Sequence, residues 1–315
     1  MIEAIDERSS CSTSLDENDN KKKRTPKKKC TSIGLILSLI AGFAYSVNSV
    51  LAKKIILPAI QIAFLRCAIQ VLILLPIVTH KMFRNNLDLI GSPSLFKLLV
   101  IRGVLGSTAA ILLYQAIERI SVGDAVAVGF LHVFVTGLVS YLWLKEAYSA
   151  LDAMFAFAAL AGVVLIAKPS FIFGQRDDAY GIEGVIGINF AIATAILQGI
   201  TSAFLRKLST SKIPATLNCL YYSICGTFIT SAVMFSSGTF VYPCLFSLPY
   251  IVAFGISGLL GQLLLAKALC YERASTVSVV KTINIVITIF LQVCISMKNI
   301  GITRSHVGGY GCDMI

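Results

Sequence analysis

Charge is what this chain has least of. Only 14% of its 315 residues are Asp, Glu, Lys or Arg, and the mean hydropathy is +0.81. A soluble domain of this size carries about a quarter charged residues, so a water-facing globule is excluded. Acidic residues are scarcer than basic ones, 16 against 27, and there are three histidines and one tryptophan. The nine cysteines include no CxxC pair, and most lie within apolar runs. They read as small apolar packers, not as a disulfide frame or a zinc site. No HExxH, Walker, GxSxG or GxGxxG motif occurs in a strand–helix setting. Nothing therefore supports an enzyme, and neither a cofactor nor a metal is expected. No apolar run begins before Ile33, so no signal peptide is read.

What the chain has instead is a series of apolar runs near 33–52, 59–78, 97–117, 125–144, 152–168, 184–204, 215–235, 250–270 and 276–296. Each approaches the length of about 20 residues that crosses a bilayer as a helix. The expected fold is all-α and polytopic. The net charge of +11 is not a nucleic-acid signal, because most basic residues sit in the short connections, where they orient a membrane protein. If the N-terminus is cytosolic, sixteen basic residues fall on that side and seven on the other. The bias places residues 1–32, a polar stretch read as a disordered tail, in the cytosol.

The runs form two matching halves, read as five-helix repeats of which nine helices are evident. A shift of 152 carries Gly103 and Gly106 onto Gly255 and Gly258, Ala116 onto Ala268, His132 onto Asn284 and Thr136 onto Thr288. Near the same offset Gly34 and Ser49 meet Gly187 and Ser202, and Lys53-Lys54 meets Arg206-Lys207. Pro58-Ala59 meets Pro214-Ala215 at a slightly larger shift. With an odd number of spans in the first half, the second copy lies upside down. Inverted repeats with a site between them are the architecture of alternating-access carriers.

Four cations fall inside predicted spans: Arg66, Arg102, Lys267 and Lys281. Glu118, Asp124, Glu146, Asp152, Glu183 and Glu272 all fall at ends or in loops. A buried cation without a buried anion costs several kcal/mol, and an anionic substrate is the natural partner. Arg102 and Lys267, near span ends, are expected to snorkel outward. Arg66 and Lys281 lie deeper. Gln70 shares a helix face with Arg66, Asn284 and Thr288 follow Lys281, and His132 and Thr136 hold the equivalent places in the first half. Gln198, Tyr222 and Gln262 fall at similar depth and complete the candidate substrate-binding set. Interhelical hydrogen bonding is the plainer role for such polar residues. Without an intramembrane carboxylate, exchange or facilitated transport is favoured over ion-coupled pumping.

The stretches Arg102-Gly103-x-x-Gly106, Tyr114-Gln115-Ala116, Ser121-x-Gly123-Asp124-Ala125 and Leu144-Lys145-Glu146 resemble the first repeat of the drug/metabolite transporter superfamily, EamA type. Phe64-Leu65-Arg66 resembles its second-span signature. Glu272-Arg273-Ala274, Lys281-Thr282-x-Asn284-x-Val286 and Leu291-Gln292 resemble the G branch of solute carrier family 35. The resemblance covers roughly residues 33–296. It implies ten helices with both termini cytosolic, and a central cavity lined by the third, fourth, eighth and ninth spans among others. It also implies carriage of nucleotide sugars, sugar phosphates, carboxylates or other small metabolites. It divides the chain into a first repeat over 33–168, an incomplete second repeat over 184–296 and an atypical tail over 297–315. Met297-Lys298 stands where an acidic cap resembling Lys145-Glu146 and then a tenth helix are expected.

The expected function is a membrane carrier for a small anionic metabolite, in an endomembrane (ER or Golgi) or the plasma membrane. The expected partners are that substrate and the lipid bilayer; a homodimer stays open and nucleic acid is not expected. The rival is a non-transporting or truncated membrane protein acting through protein partners.

Overall fold

The computed structural model describes residues 28–55, 57–85, 93–146, 150–167, 182–211, 213–238, 240–242, 247–281, 287 and 290. The residues 1–27 of the expected tail, Asn284, Thr288 and the segment 297–315 lie outside the described residues. Every described element is an α-helix. α1 covers Lys28–Lys54, α2 Ala59–Asn85, α3 Pro93–Arg119, α4 Val122–Gly129, α5 His132–Trp143, α6 Ala150–Ala167, α7 Ile182–Thr210, α8 Ala215–Ser237, α9 Leu248–Tyr271 and α10 Ala274–Lys281.

Length and composition explain why helices form. α1, α2 and α3 each have 27 residues, about 40 Å of helix against a hydrocarbon layer of roughly 30 Å. α1, α2, α3, α7, α8 and α9 are long and apolar enough to cross a membrane, and residues 127–143 and 150–165 form shorter apolar helices. In hydrocarbon no water can satisfy backbone polar groups, and a helix satisfies them internally. Local chemistry sets the ends. Pro58 and Pro214 stand directly before α2 and α8, and Gly238, in the left-handed region at φ 61°, closes α8, a conformation that costs glycine nothing.

Polarity is arranged inside out. Leu72, Leu142, Phe157, Phe228 and Phe235 point outward, while Ser46, Asn48, Gln70, Asn218, Ser223 and Thr230 are buried. Most buried hydroxyls return to their own helix four residues back, as Ser46 does to Gly42 and Thr230 to Gly226.

The helices of the two halves pack reciprocally. α1 lies along α9, and α7 lies along α3. α2 meets α9 as α8 meets α3, and α2 meets α8. The relation extends to single contacts, seen in what a Cβ on each glycine would touch. At Gly34 it would meet Glu272 Cγ at 2.6 Å and Tyr271, and at Gly187 it would meet Ile120 Cγ2 at 2.7 Å and Arg119. At Gly103 it would meet Cys225, and at Gly255, Ile69. At Gly106 it would meet Tyr222, and at Gly258, Arg66. Each of these pairs joins the two halves and has its counterpart with the roles exchanged, as a two-fold relation between halves requires. The glycines that mark the repeat in sequence are among the places where helices from opposite halves come closest.

One difference from the sequence reading concerns the fourth span, expected as a single run over 125–144. It is interrupted at Phe130-Leu131, between α4 and α5. There Val133 N–H bonds the carbonyl of Phe130 at 3.1 Å, three residues back. The regular helical bond to Gly129 is thereby given up.

Candidate functional site

The interrupted span places His132 at the break. Its Nδ1 lies 3.0 Å from the Gly129 carbonyl, the acceptor that the helix ladder releases. A carbonyl only accepts, so Nδ1 carries the hydrogen of that bond and the other ring nitrogen, Nε2, is left for other contacts. Broken helices deep in a bundle are tolerated where they are enclosed by protein or line a cavity. Lys281, at the end of α10, acts electrostatically on His132.

Arg66 lies on α2 next to α9. Gly258 makes room for its guanidinium: a Cβ there would come within 2.7 Å of Arg66 Nε and 3.2 Å of Asn48 Nδ2. Asn48 is fixed by its own bonds to the Phe254 carbonyl, 2.7 Å, and to Ser257 Oγ, 3.1 Å. The Arg66 guanidinium carbon stands 6.0 Å from the centre of the Phe254 ring. Tyr45, Tyr114 and Tyr222 lie in the neighbourhood of Arg66, and so does Lys281. Lys281 Nζ lies 5.2 Å over the Tyr45 ring. Arg66, Lys281 and His132 thus fall in one neighbourhood of the bundle, to which α1, α2, α3, α5, α8 and α10 contribute.

Arg102 corrects an expectation. It does not snorkel: it is 4% exposed, its guanidinium carbon lies 5.0 Å over the Tyr222 ring, and Nη1 donates to the Asn218 carbonyl at 3.4 Å. The reason is a partner from the other half, since α8 supplies both the ring and the carbonyl. Lys267 is half-buried.

Of the remaining sequence candidates, Gln70 is fully buried and accepts a bond from Ser223 Oγ at 2.9 Å, while its Nε2 has no partner. Thr136 Oγ1 turns back to the His132 carbonyl at 2.7 Å, which satisfies its donor within α5. Gln262 is buried with Oε1 unpartnered. Gln198 is half-buried on α7, where its backbone carbonyl accepts from Ser202.

The charge balance is one-sided. Among the described residues the ion pairs are Arg119–Glu183, Arg206–Glu146 and Arg273–Asp152, and none involves Arg66, Arg102 or Lys281. The Nε atoms of Arg66 and Arg102 are buried without an acceptor. An unmet buried donor costs about 1–3 kcal/mol, more when charged, and π faces offset only part of that. Among the described residues, these cations are thus left without a charged partner. Sequence reading missed Tyr45, Asn48 and Tyr114. Tyr45 carried a signal: the offset that pairs Ser49 with Ser202 also pairs Tyr45 with Gln198, and both serines bond back to that residue's carbonyl.

The sequence model of the EamA-like transporter family matches residues 32–168. Mouse solute carrier family 35 member G1 is 34% identical over 300 residues, covering 93% of this chain and 78% of that one. The human protein of the same name is 32% identical over 298 residues, with 92% and 78% covered. The pseudopaline exporter CntI of Pseudomonas aeruginosa is 28% identical over 256 residues, covering 80% of this chain and 84% of the exporter. A solved crystal structure with 16% identity superposes with a TM-score of 0.68 over 86% of this chain and 89% of its own, which establishes the fold.

Proposed function

The chain belongs to the EamA-type drug/metabolite transporters, in the G branch of solute carrier family 35, and from that premise we propose that the cargo of this multi-pass membrane transporter is a small organic anion. One observation carries the proposal: three buried or half-buried cations, Arg66, Arg102 and Lys281, stand on aromatic rings with no ion pair among the described residues. An arriving carboxylate or phosphate supplies the missing charge, and Arg66 offers a planar fork suited to either group. Gln70 Nε2 adds a neutral donor on the same helix face. The two halves act as inverted repeats about this centre, alternately opening it to each side.

Counterflow in proteoliposomes tests the cargo class. Vesicles preloaded with di- or tricarboxylates, sugar phosphates or nucleotide sugars are expected to show saturable exchange with the labelled compound of the same kind for at least one class. Exchange of neutral or cationic solutes in place of every anion overturns the reading.

The orientation proposed is with the N-terminus cytosolic, supported by the sixteen-to-seven basic bias. A tag at residue 1 is expected to survive protease added outside sealed, right-side-out vesicles and to disappear once detergent opens them. Its loss before detergent reverses the orientation.

A further inference from the structure

At the end of the bundle away from the α1–α2 turn, the two halves are joined by a group of charged side chains that the cargo site does not use. Arg206 of α7 pairs with Glu146, just beyond α5, with Nε 2.7 Å from Oε1 and the side chains 13% and 15% exposed. The same guanidinium donates through Nη1 to the Leu269 carbonyl in the last turn of α9. The other oxygen of Glu146, Oε2, accepts the N–H of Ala274 at 3.2 Å, and Ala274 is the first residue of α10. Beside this grip, Arg273 reaches Asp152 of α6 at 3.6 Å, and Lys207 Nζ lies 4.3 Å over the Trp143 ring.

The start of α10 depends on Glu146 in a way its counterpart does not. α4 begins with a cap of its own: Ser121 Oγ accepts the Asp124 N–H at 3.1 Å and donates to Asp124 Oδ2 at 2.7 Å, a reciprocal arrangement within one turn. The repeat offset that pairs His132 with Asn284 places Arg273 where Ser121 stands. Arginine cannot accept a hydrogen bond, so the first turn of α10 takes its acceptor from the opposite half. A carboxylate there also lies at the positive end of the helix. Lys281 follows seven residues later on the same short helix, about two turns on. A shift at Ala274 is therefore carried to the cation that stands over Tyr45.

We propose that Glu146 is the positioning residue of a gate: by holding Arg206 and the start of α10 together, it closes the end of the bundle where α5, α7, α9 and α10 meet, and it sets where Lys281 stands. Opening the path to that side requires this carboxylate to release both partners. The inference rests on the chain being a transporter, not on the charge of its cargo.

The chain carries its own reporter. Cys270, a half-buried thiol beside Leu269, donates to the Ser209 carbonyl of α7 at 3.0 Å. It therefore sits at the seam that the grip holds shut. The test is the labelling rate of Cys270 by a membrane-impermeant maleimide, read by peptide mass spectrometry on the full chain in sealed vesicles of each orientation. Glu146→Gln and Arg206→Gln are each expected to label at least tenfold faster than wild type, from one side of the membrane only. Arg206→Lys, which keeps the charge but not the fork, is expected to rise two- to fivefold. Wild-type rates in both glutamine variants overturn the gate, as does Arg206→Lys labelling as fast as Arg206→Gln. If a glutamine variant elutes aggregated in detergent, Arg206→Lys decides alone: a two- to fivefold rise supports the gate and a wild-type rate overturns it. The readout uses no substrate, so it is independent of whether the cargo is an anion.

Discussion

Arg66→Ala is expected to raise the KM for substrate tenfold or more, or to end uptake, in a chain that still inserts and folds. Arg66 stands over Phe254, sits against Gly258 and lies in the neighbourhood of Lys281. Its Nε is buried without an acceptor. Removing one member of a desolvated charged pair costs about 2–5 kcal/mol, and with the proposed anionic cargo that loss falls on the bound state. The empty protein is affected differently. It loses a buried charge that no described carboxylate pairs, together with its repulsion toward Lys281. Thermal stability in detergent is thus expected to hold or to rise, the usual sign of a group kept for function at the expense of stability. Arg66→Lys keeps the charge but not the fork, and is expected to fall between. Uptake kinetics and melting temperature, measured on the same preparations, separate the cases. Unchanged KM with lowered melting assigns Arg66 to packing.

How much of this was legible in the sequence differs from residue to residue, for physical reasons. The repeat was legible because close helix contacts admit only small residues. Gly103, Gly106, Gly255 and Gly258 each face a side chain of the opposite half, so the pattern survives in the letters. The spans were legible because lipid allows only long apolar helices. The break at Phe130-Leu131 was not, since two apolar residues interrupt nothing in a hydropathy profile. The burial of Arg102 was also hidden. A lone arginine near a helix end reads as snorkelling until Tyr222 and the Asn218 carbonyl arrive from α8. Tyr45 and Tyr114 look like ordinary membrane aromatics, and only tertiary packing brings them to Arg66. For the proposed site, residue type and depth are what the sequence offered at Arg66, Gln70, His132, Tyr222 and Lys281. Their neighbours depend on contacts between helices far apart in the chain.

Gly255→Ala and Gly258→Ala are expected to fail in opposite ways, although they lie one turn apart on the same face of α9. A Cβ at Gly255 meets Ile69 Cγ2 at 2.6 Å and Cβ at 2.9 Å. A β-branched side chain in a helix has one strongly preferred rotamer, so Ile69 cannot swing aside and α9 has to back away from α2. Overpacking of this kind costs about 1–3 kcal/mol, which appears as a lower melting temperature and less protein in the membrane. A Cβ at Gly258 meets instead Arg66 Nε at 2.7 Å, Arg66 Cζ at 3.2 Å and Asn48 Nδ2 at 3.2 Å. The closest of these contacts is with the outer part of a jointed side chain, and Arg66 has three further torsions with which to move. The helices keep their spacing while the guanidinium leaves its seat, so Gly258→Ala is expected to melt near wild type with KM raised several-fold. Thermal scans in detergent and uptake in proteoliposomes, run on both variants, give the comparison. Should Gly258→Ala destabilise as much as Gly255→Ala and leave the KM of the surviving fraction unchanged, the α2–α9 contact is a packing seam throughout, and the place of Arg66 within it has no separate part in holding cargo.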